Sequence, residues 1–165
     1  MPDAKNTPIL TWEELFRQRV LWNKQALRVV FTNGVFDLLH RGHLDYLWQA
    51  RRLGDVLVIG VNTDSSVKRF KDPGRPLVGE EDRAFALSCL RPVDAVTLFD
   101  QDTPLELISR LKPDVLVKGA DYEEKDIVGA KEVRQSGGNV VRVALTEGRS
   151  TTNLIQAILQ KYGRA

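Results

Sequence analysis

Apolar runs alternate with helical segments along the chain, and this alternation constrains the fold more than any other feature. Runs rich in valine, leucine and isoleucine predict strands at residues 28–33, 56–61, 93–99, 114–117 and 140–144. Helical patterns stand between and after them, at residues 42–53, 80–90, 104–111, 130–136 and 151–162. Near-continuous apolar strands separated by helices are typical of a parallel sheet buried on both faces. The sequence therefore predicts an α/β protein with a doubly wound, Rossmann-like parallel sheet of about five strands.

An extra amphipathic helix is predicted ahead of the sheet, over residues 11–26. Thr11 and Glu14 have the spacing of a capping box, and an apolar stripe follows them. The 165 residues fit one domain. We expect an N-terminal extension and helix over residues 1–27, which is a candidate subunit contact, and the main domain over residues 28–165. Residues 1–8 have no apolar signal core, and no apolar run is long enough to span a bilayer, so no membrane association is expected.

Composition and charge limit the kinds of binding partner that the chain is expected to have. The 24 basic and 22 acidic side chains are spread along the chain and leave a net charge of +2. Without a concentrated basic face, the chain is not expected to bind nucleic acid, and a small anionic ligand suits it better. Cys89 is the only cysteine, which excludes an internal disulfide and favours a cytoplasmic location. Cys89 lies in an apolar helical stretch and is predicted to belong to the core.

Both histidines lie in one segment, residues 32–43, which runs from the first predicted strand into the next helix. His40 and His43 flank Gly42 at a predicted helix start, where free N–H groups and the helix dipole attract phosphate. An imidazole pair there can donate hydrogen bonds to a phosphoryl group. Zinc is the alternative ligand, but a third protein ligand is not obvious, and no metal site made by protein side chains is predicted.

Polar and basic residues follow the second predicted strand. Asn62 and Asp64 stand where such sheets bind ligands, although Asp64 is equally suited to capping a helix. Residues 68–79 contain lysines, arginines, glycines and prolines, and they predict a mobile surface loop able to close over phosphates. A phosphate-binding role for Lys71, Arg75 and Arg83 competes with a solvated charged face.

Two later segments also carry basic or hydroxyl side chains at positions where a phosphate could bind. Lys118 and Gly119 end the fourth predicted strand, where a lysine can hold a phosphate as a point charge. Ser150, Thr151 and Thr152 open the last helix, and capping needs only one of their hydroxyls, so the others are available to a ligand. A serine hydrolase is a poor alternative, because both histidines are committed to one phosphate-type loop.

The first segment resembles the signature of the cytidylyltransferase-like nucleotidyltransferases, since Gly34–Asp37 is followed by His40-Arg-Gly-His43. The resemblance implies a doubly wound sheet of the nucleotidyltransferase type. It also implies that an acceptor phosphate attacks the α-phosphorus of a nucleoside triphosphate and releases pyrophosphate, without a covalent enzyme intermediate.

All four segments, over about residues 28–160, resemble in order the adenylyltransferase domain of bifunctional heptose-phosphate kinase and adenylyltransferase enzymes. This resemblance implies ATP with Mg²⁺ as the donor and D-glycero-β-D-manno-heptose 1-phosphate as the acceptor, giving ADP-heptose for lipopolysaccharide synthesis. It further implies a homodimer, and a separate kinase to supply the sugar phosphate. Two positions depart from the relatives: Val35 stands where cysteine is frequent, and Asp72 stands where glycine is frequent. The charge of Asp72 puts the phosphate role of Lys71 in doubt.

The resemblance also implies the roles of individual residues. His40, His43 and Lys118 would be catalytic. The implied nucleotide-binding residues are Thr32, Asn33, Gly34, Phe36, Gly42, Arg83, Gly119, Asp121, Ser150, Thr151 and Thr152. The implied substrate-binding residues are Asp37, Asn62, Asp64, Lys71 and Arg75. Two other functions stay open, a cytidylyltransferase acting on glycerol 3-phosphate and a nucleotide-binding module without catalysis, although the intact histidine pair argues against the module.

Overall fold

The computed structural model describes residues 7–163, which form a five-stranded, all-parallel sheet with helices on both faces. The strands are β1 (Val29–Gly34), β2 (Val56–Asn62), β3 (Ala95–Phe99), β4 (Val115–Gly119) and β5 (Asn139–Val143). The helices are α1 (Trp12–Lys24), α2 (Arg41–Arg51), α3 (Asp64–Phe70), α4 (Glu80–Ser88), α5 (Leu105–Leu111), α6 (Ala130–Gln135) and α7 (Thr151–Tyr162), with a 3₁₀ turn at Glu124–Asp126. The predicted α/β class and parallel sheet are confirmed. Residues 1–6 of the predicted extension lie outside the described residues.

Apolar side chains on the two faces of the sheet form two core clusters. Along β1, Val30 belongs to one cluster and Phe31 to the other, because successive side chains of a strand point to opposite faces. All seven residues of β2 are buried, as the near-continuous apolar run predicted. Helices α1, α5 and α6 cover one face, and α2 and α4 cover the other.

The N-terminal helix belongs to the same core as the sheet. Its capping box forms as predicted between Thr11 and Glu14. Leu15 is fully buried, and the Trp12 indole N–H donates to the carbonyl oxygen of Leu98 at 2.9 Å. Residues 8–10, ahead of the helix, pair with the edge strand β3. The boundary predicted at residue 27 therefore divides one continuous core.

Two local predictions were wrong. The loop predicted from Lys68 begins at Lys71, because residues 64–70 form α3. The hydroxyl of Thr63 caps the N-terminus of this helix. Cys89 is exposed and lies just after the last residue of α4, rather than in the core. Over residues 7–163, no helix is long and apolar enough to cross a membrane.

The strand order β3-β2-β1-β4-β5 creates a crevice at one edge of the sheet. From β1 the chain winds outward through β2 and β3, and it then returns to β4 on the other side of β1. The loops that follow β1 and β4 therefore diverge, and this reversal point is where open α/β sheets bind ligands.

Candidate active site

The loop between β1 and α2 is tightly held and carries the histidines. Phe36 and Leu38 have φ angles of 52° and 47°, a left-handed conformation that costs free energy in non-glycine residues. Such a conformation persists only where its surroundings enforce it. One restraint is visible at Asp37, whose backbone carbonyl accepts a hydrogen bond from the Thr151 hydroxyl at 2.8 Å, so that the start of α7 is attached to this loop.

The two imidazole rings stack at the start of α2. The ring centroids of His40 and His43 lie 3.9 Å apart with 24° between the planes. The Nδ1 atom of His40 accepts the Gly42 N–H at 3.1 Å, which leaves the Nε2 atom of neutral His40 as the hydrogen-bond donor. A β-carbon at Gly42 would lie 3.0 Å from the His40 ring, so a larger residue here would displace the ring by a few tenths of an ångström.

The environment keeps both histidines neutral in the absence of ligand. Burial, followed by the nearby His40, lowers the pKa of His43 to about 4 against the opposing charge of Asp37. Burial, followed by the charge of Arg149, lowers the pKa of His40. The Nδ1 atom of His43 is buried and has no hydrogen-bond partner in the described structure, which is unusual for a buried polar atom.

A buried lysine faces the histidines from the end of β4. Lys118 is 8% exposed, its amino group donates to the Asn33 side-chain oxygen at 2.6 Å, and it lies 5.5 Å from the centre of the Tyr122 ring. Burial lowers the pKa of Lys118 to about 8, against the opposing charge of Asp121. Its charge has no carboxylate within ion-pair distance among the described residues, so an anionic ligand would stabilise it.

Two cavities open at the crevice and share a wall. The histidine cavity, of about 390 Å³, is lined by residues that include His40, Gly42, Gly119, Asp121 and Ser150. The loop cavity, of about 420 Å³, is lined by residues that include Asn62, Arg75, Asp102, Thr103 and Thr152. Nine residues line both cavities: Asn33, Gly34, Val35, Phe36, His43, Lys71, Lys118, Tyr122 and Thr151. A group transferred between ligands in the two cavities would pass His43 and Lys118.

The structure does not bring every predicted residue to these cavities. Thr32 is fully buried and shares a hydrogen bond with the Tyr46 hydroxyl, beneath the site. Arg83 is 2% exposed and donates to the carbonyl oxygens of Val35, Asn62 and Val78 and to the carboxylate of Asp64. Because these bonds occupy the guanidinium, Arg83 fixes the loops around the site, and its predicted contact with the nucleotide is wrong. Thr32 and Asp64 line neither cavity. Thr32 is covered by the protein, and Asp64 binds Arg83 through one oxygen and remains partly exposed, so its role in substrate binding stays a prediction.

Several cavity residues were missed by the sequence reasoning. Arg149 lines the histidine cavity, and its position just before the helix-capping Ser150 was an available signal. Asp102 and Thr103 follow the carboxyl end of β3, where the rule that found Asn62 applies equally. Asp126 lies on the 3₁₀ turn, which has no comparable sequence pattern. Over residues 7–163, no group of three or more histidine, cysteine, aspartate or glutamate side chains is arranged to hold a metal ion.

Together these features define a class of protein. The parallel sheet has its crevice at β1 and β4, with neutral stacked imidazoles at one helix start and hydroxyls at another. Such an arrangement is suited to the phosphates of a ligand. Residues 31–157 match the family model described as cytidylyltransferase-like. The chain belongs to this cytidylyltransferase-like family.

Relatives with curated descriptions share more than half of the aligned residues. The chain is 56% identical over 150 residues to the bifunctional protein HldE of Magnetococcus marinus, which covers 91% of this chain and 31% of that protein. It is 55% identical over 139 residues to the bifunctional protein HldE of Geobacter sulfurreducens, over 84% of this chain and 28% of that protein. The chain thus spans about a third of the length of these relatives.

Solved structures support the same fold. The lipopolysaccharide core biosynthesis protein of Thermoplasma volcanium matches with a TM-score of 0.61 and 29% identity, over 74% of this chain and 99% of that one. Pantoate-beta-alanine ligase of Francisella tularensis matches with a TM-score of 0.55 and 14% identity, over 96% of this chain and 82% of that one. At that identity the second likeness bears on the fold alone.

Proposed function

We propose that this chain is an adenylyltransferase that transfers AMP from ATP to D-glycero-β-D-manno-heptose 1-phosphate, giving ADP-heptose and pyrophosphate for lipopolysaccharide synthesis. The observation that carries the proposal is the shared wall, where His43 and Lys118 stand between two cavities of suitable size. The four matching segments and the identity to the HldE proteins support the choice of substrates. A separate kinase supplies the sugar phosphate, and the location is cytoplasmic, which the single cysteine supports.

The histidine cavity takes the ATP in this proposal. The β- and γ-phosphates lie against the start of α2, where neutral His40 donates from its Nε2 atom. At the start of α7, Ser150 binds the same phosphates through its hydroxyl and Thr151 through its backbone N–H, because the Thr151 hydroxyl already donates to Asp37. The loop cavity takes the heptose 1-phosphate, with Lys71 on the shared wall. Asn62 lines this cavity and is placed to bind a sugar hydroxyl.

The reaction is a displacement at the α-phosphorus of ATP. An oxygen of the acceptor phosphate forms the new bond to this phosphorus, and the bond to the oxygen bridging the β-phosphorus breaks. The electron pair leaves with pyrophosphate, and no protein nucleophile is needed, because the acceptor phosphate is already anionic. Lys118 neutralises the charge that spreads over the reacting phosphates, and neutral His43 stabilises it by donating a hydrogen bond; both are preorganised by burial, and His43 also by stacking on His40.

Mg²⁺ bound to ATP would neutralise part of the phosphate charge. This ion keeps several waters and commonly binds through substrate phosphates and one or two carboxylates, so it fits a site without a dedicated cage. Asp121 is the carboxylate that lines the histidine cavity and would hold the ion.

Pyrophosphate release tests the proposal directly. The purified protein is assayed with ATP or CTP, each combined with the β-anomer of heptose 1-phosphate, its α-anomer or glycerol 3-phosphate. Turnover with ATP and the β-anomer is expected, and His43→Ala serves as the inactive control. Turnover restricted to CTP with glycerol 3-phosphate would establish a cytidylyltransferase instead. ATP binding without turnover on any of these acceptors would establish a nucleotide-binding module.

A further inference from the structure

The carboxylate of Asp37 is saturated with donors from a distant loop. Its side chain has no exposed surface. The Nε atom of Arg75 donates to Oδ2 at 2.7 Å, the backbone N–H of Leu77 donates to the same oxygen at 2.9 Å, and the N–H of Val78 donates to Oδ1 at 3.0 Å. Both oxygens therefore accept hydrogen bonds from the protein, and the implied role of Asp37 in direct substrate binding does not fit this geometry.

These bonds join the two loops on which the site depends. Asp37 lies three residues before His40, and its donors lie in the loop of residues 71–79. Burial raises the pKa of Asp37, but the hydrogen bonds from Leu77, Val78 and Arg75 together outweigh it and lower the pKa, so the carboxylate is charged at neutral pH. Charge-assisted bonds in a buried setting are stronger and shorter than neutral ones, which suits a permanent attachment.

The attachment also orients Arg75. Its side chain is 17% exposed and lines the loop cavity, yet only its Nε atom is engaged by Asp37. The terminal nitrogens, Nη1 and Nη2, make no hydrogen bond or ion pair within the described structure. Because the guanidinium is a rigid planar fork, fixing Nε also fixes the direction of the other two nitrogens.

We infer that Asp37 is a positioning residue: it clasps the loop of residues 71–79 so that Arg75 presents its terminal nitrogens to the phosphate of the acceptor. The clasp itself follows from the structure alone, whereas the identity of the phosphate rests on the proposed function. The clasp also explains how a loop rich in charged residues and glycine holds one wall of a cavity. Asp37 thus acts through Arg75 and does not touch the reacting atoms.

Amide hydrogen exchange tests the clasp without any assay of activity. Asp37→Asn keeps the shape of the side chain but removes its charge and one acceptor, so the Leu77 and Val78 amides are expected to exchange at least tenfold faster. Glu81→Gln is the matched control, since Glu81 is exposed and lines neither cavity, and it should leave the exchange unchanged. Unchanged exchange in Asp37→Asn would overturn the clasp.

Phosphate binding tests the orientation of Arg75 without turnover. Inorganic phosphate is titrated calorimetrically into the wild type, Asp37→Asn and Arg75→Ala. Both variants are expected to weaken the affinity at least tenfold, and the double variant to weaken it by less than the product of the two single effects. Arg75→Ala keeps the bonds to Leu77 and Val78, so it decides the question even if Asp37→Asn fails to fold. Unchanged affinity in Arg75→Ala, or fully independent effects, would contradict the inference.

Steady-state kinetics separate this role from a direct effect of Asp37 on His43. Asp37→Asn should raise the KM for the sugar phosphate at least tenfold, leave the KM for ATP within threefold and keep the pH profile of kcat in place. A displaced pH profile with an unchanged acceptor KM would mean that Asp37 acts on the charge of His43, and the inference would be wrong. A wild type without turnover defeats the proposed function, while exchange and phosphate binding still decide the clasp.

Discussion

At the scale of single residues, the site consists of groups that are incomplete without an anion. His43 has a buried nitrogen without a partner, and Lys118 has a buried charge without a neighbouring carboxylate in ion-pair distance, within the described residues. Both states cost free energy in the ligand-free protein. A phosphate bound beside Lys118 would remove the cost of its buried charge.

The first prediction concerns His43. We expect His43→Ala to lower kcat by about 10²- to 10³-fold, because one preorganised contact to transition-state charge is worth ~2.7 to 4 kcal/mol. The fold should survive, since the substitution removes a nitrogen that has no partner. Kinetics with ATP and the sugar phosphate measure the effect, and circular dichroism checks the fold. Near-wild-type turnover would remove His43 from the mechanism.

The lowered pKa of Lys118 predicts the basic limb of the activity profile. Protonated Lys118 is the form that binds phosphate, and with a pKa of about 8 this form is lost as the pH rises through 8. The kcat/KM for ATP, which reports the free enzyme, should therefore fall above pH 8. Lys118→Arg, which does not titrate in this range, should show lower activity with a flat profile to pH 9.5. A flat wild-type profile over the same range would contradict the assignment.

The same residue predicts a conflict between stability and function. The unfolded chain keeps Lys118 protonated up to a pKa near 10.5, whereas the folded protein releases that proton near pH 8. The buried charge thus destabilises the fold below pH 8, and this penalty declines as the pH rises from 8 towards 10.5. Lys118→Met should abolish turnover and raise the free energy of unfolding at pH 7 by ~2 kcal/mol. Urea unfolding measures it, and an unchanged or lower stability would argue against the buried charge.

At the scale of elements, the N-terminal helix shows how packing overrides a division suggested by sequence. Helix α1 precedes the sheet and looks separable along the chain, yet Leu15 and Trp22 are buried against the same face as α5 and α6. The buried Arg19 also donates from Nε to the carbonyl oxygen of Leu111 at the end of α5. The helix therefore stabilises the domain that contains the site.

Two leucine substitutions in α1 test whether this helix shares the core of the domain. Leu15 is fully buried and Leu21 is 49% exposed. Leu15→Ala should lower the free energy of unfolding by ~2 to 5 kcal/mol in a single cooperative transition, because it leaves a cavity in the common core. Leu21→Ala should cost less than about 1 kcal/mol. Equal effects, or a separate transition for the helix, would indicate an independent extension.

At the scale of the whole molecule, the cavities are prepared for ligands, and their metal is expected to arrive with ATP. EDTA should stop pyrophosphate release, and excess Mg²⁺ should restore it, because the phosphate charge needs neutralisation. The melting temperature of the ligand-free protein should not change, since residues 7–163 hold no cluster of three metal-ligating side chains. A lower melting temperature in EDTA would reveal a structural metal. The homodimer stays a prediction, and sedimentation velocity measures it.

The local pattern of the sequence determined the α/β class, the five strands and the polar segments at the strand ends. A strand that is buried on both faces of a sheet consists of consecutive apolar residues, which the sequence alone shows. Helix α3 was hidden, since its residues look like the start of a charged loop. The sequence also did not reveal that Cys89 is exposed. The apolar pattern continues past Ser88, so it does not show that α4 ends there and leaves Cys89 outside the core.

Only the tertiary structure decided which charged residues face the ligand. Arg83 and Arg75 look alike in sequence, yet Arg83 is enclosed by carbonyl oxygens, while Arg75 lines the loop cavity and is bonded through Nε alone within the described residues. Likewise, the sequence suggests that Asp37 binds substrate, but its carboxylate accepts hydrogen bonds from residues about forty positions away. Hydrogen bonds between distant segments leave no periodic trace along a chain, so the partner of each buried charge is determined only once the loops are brought together.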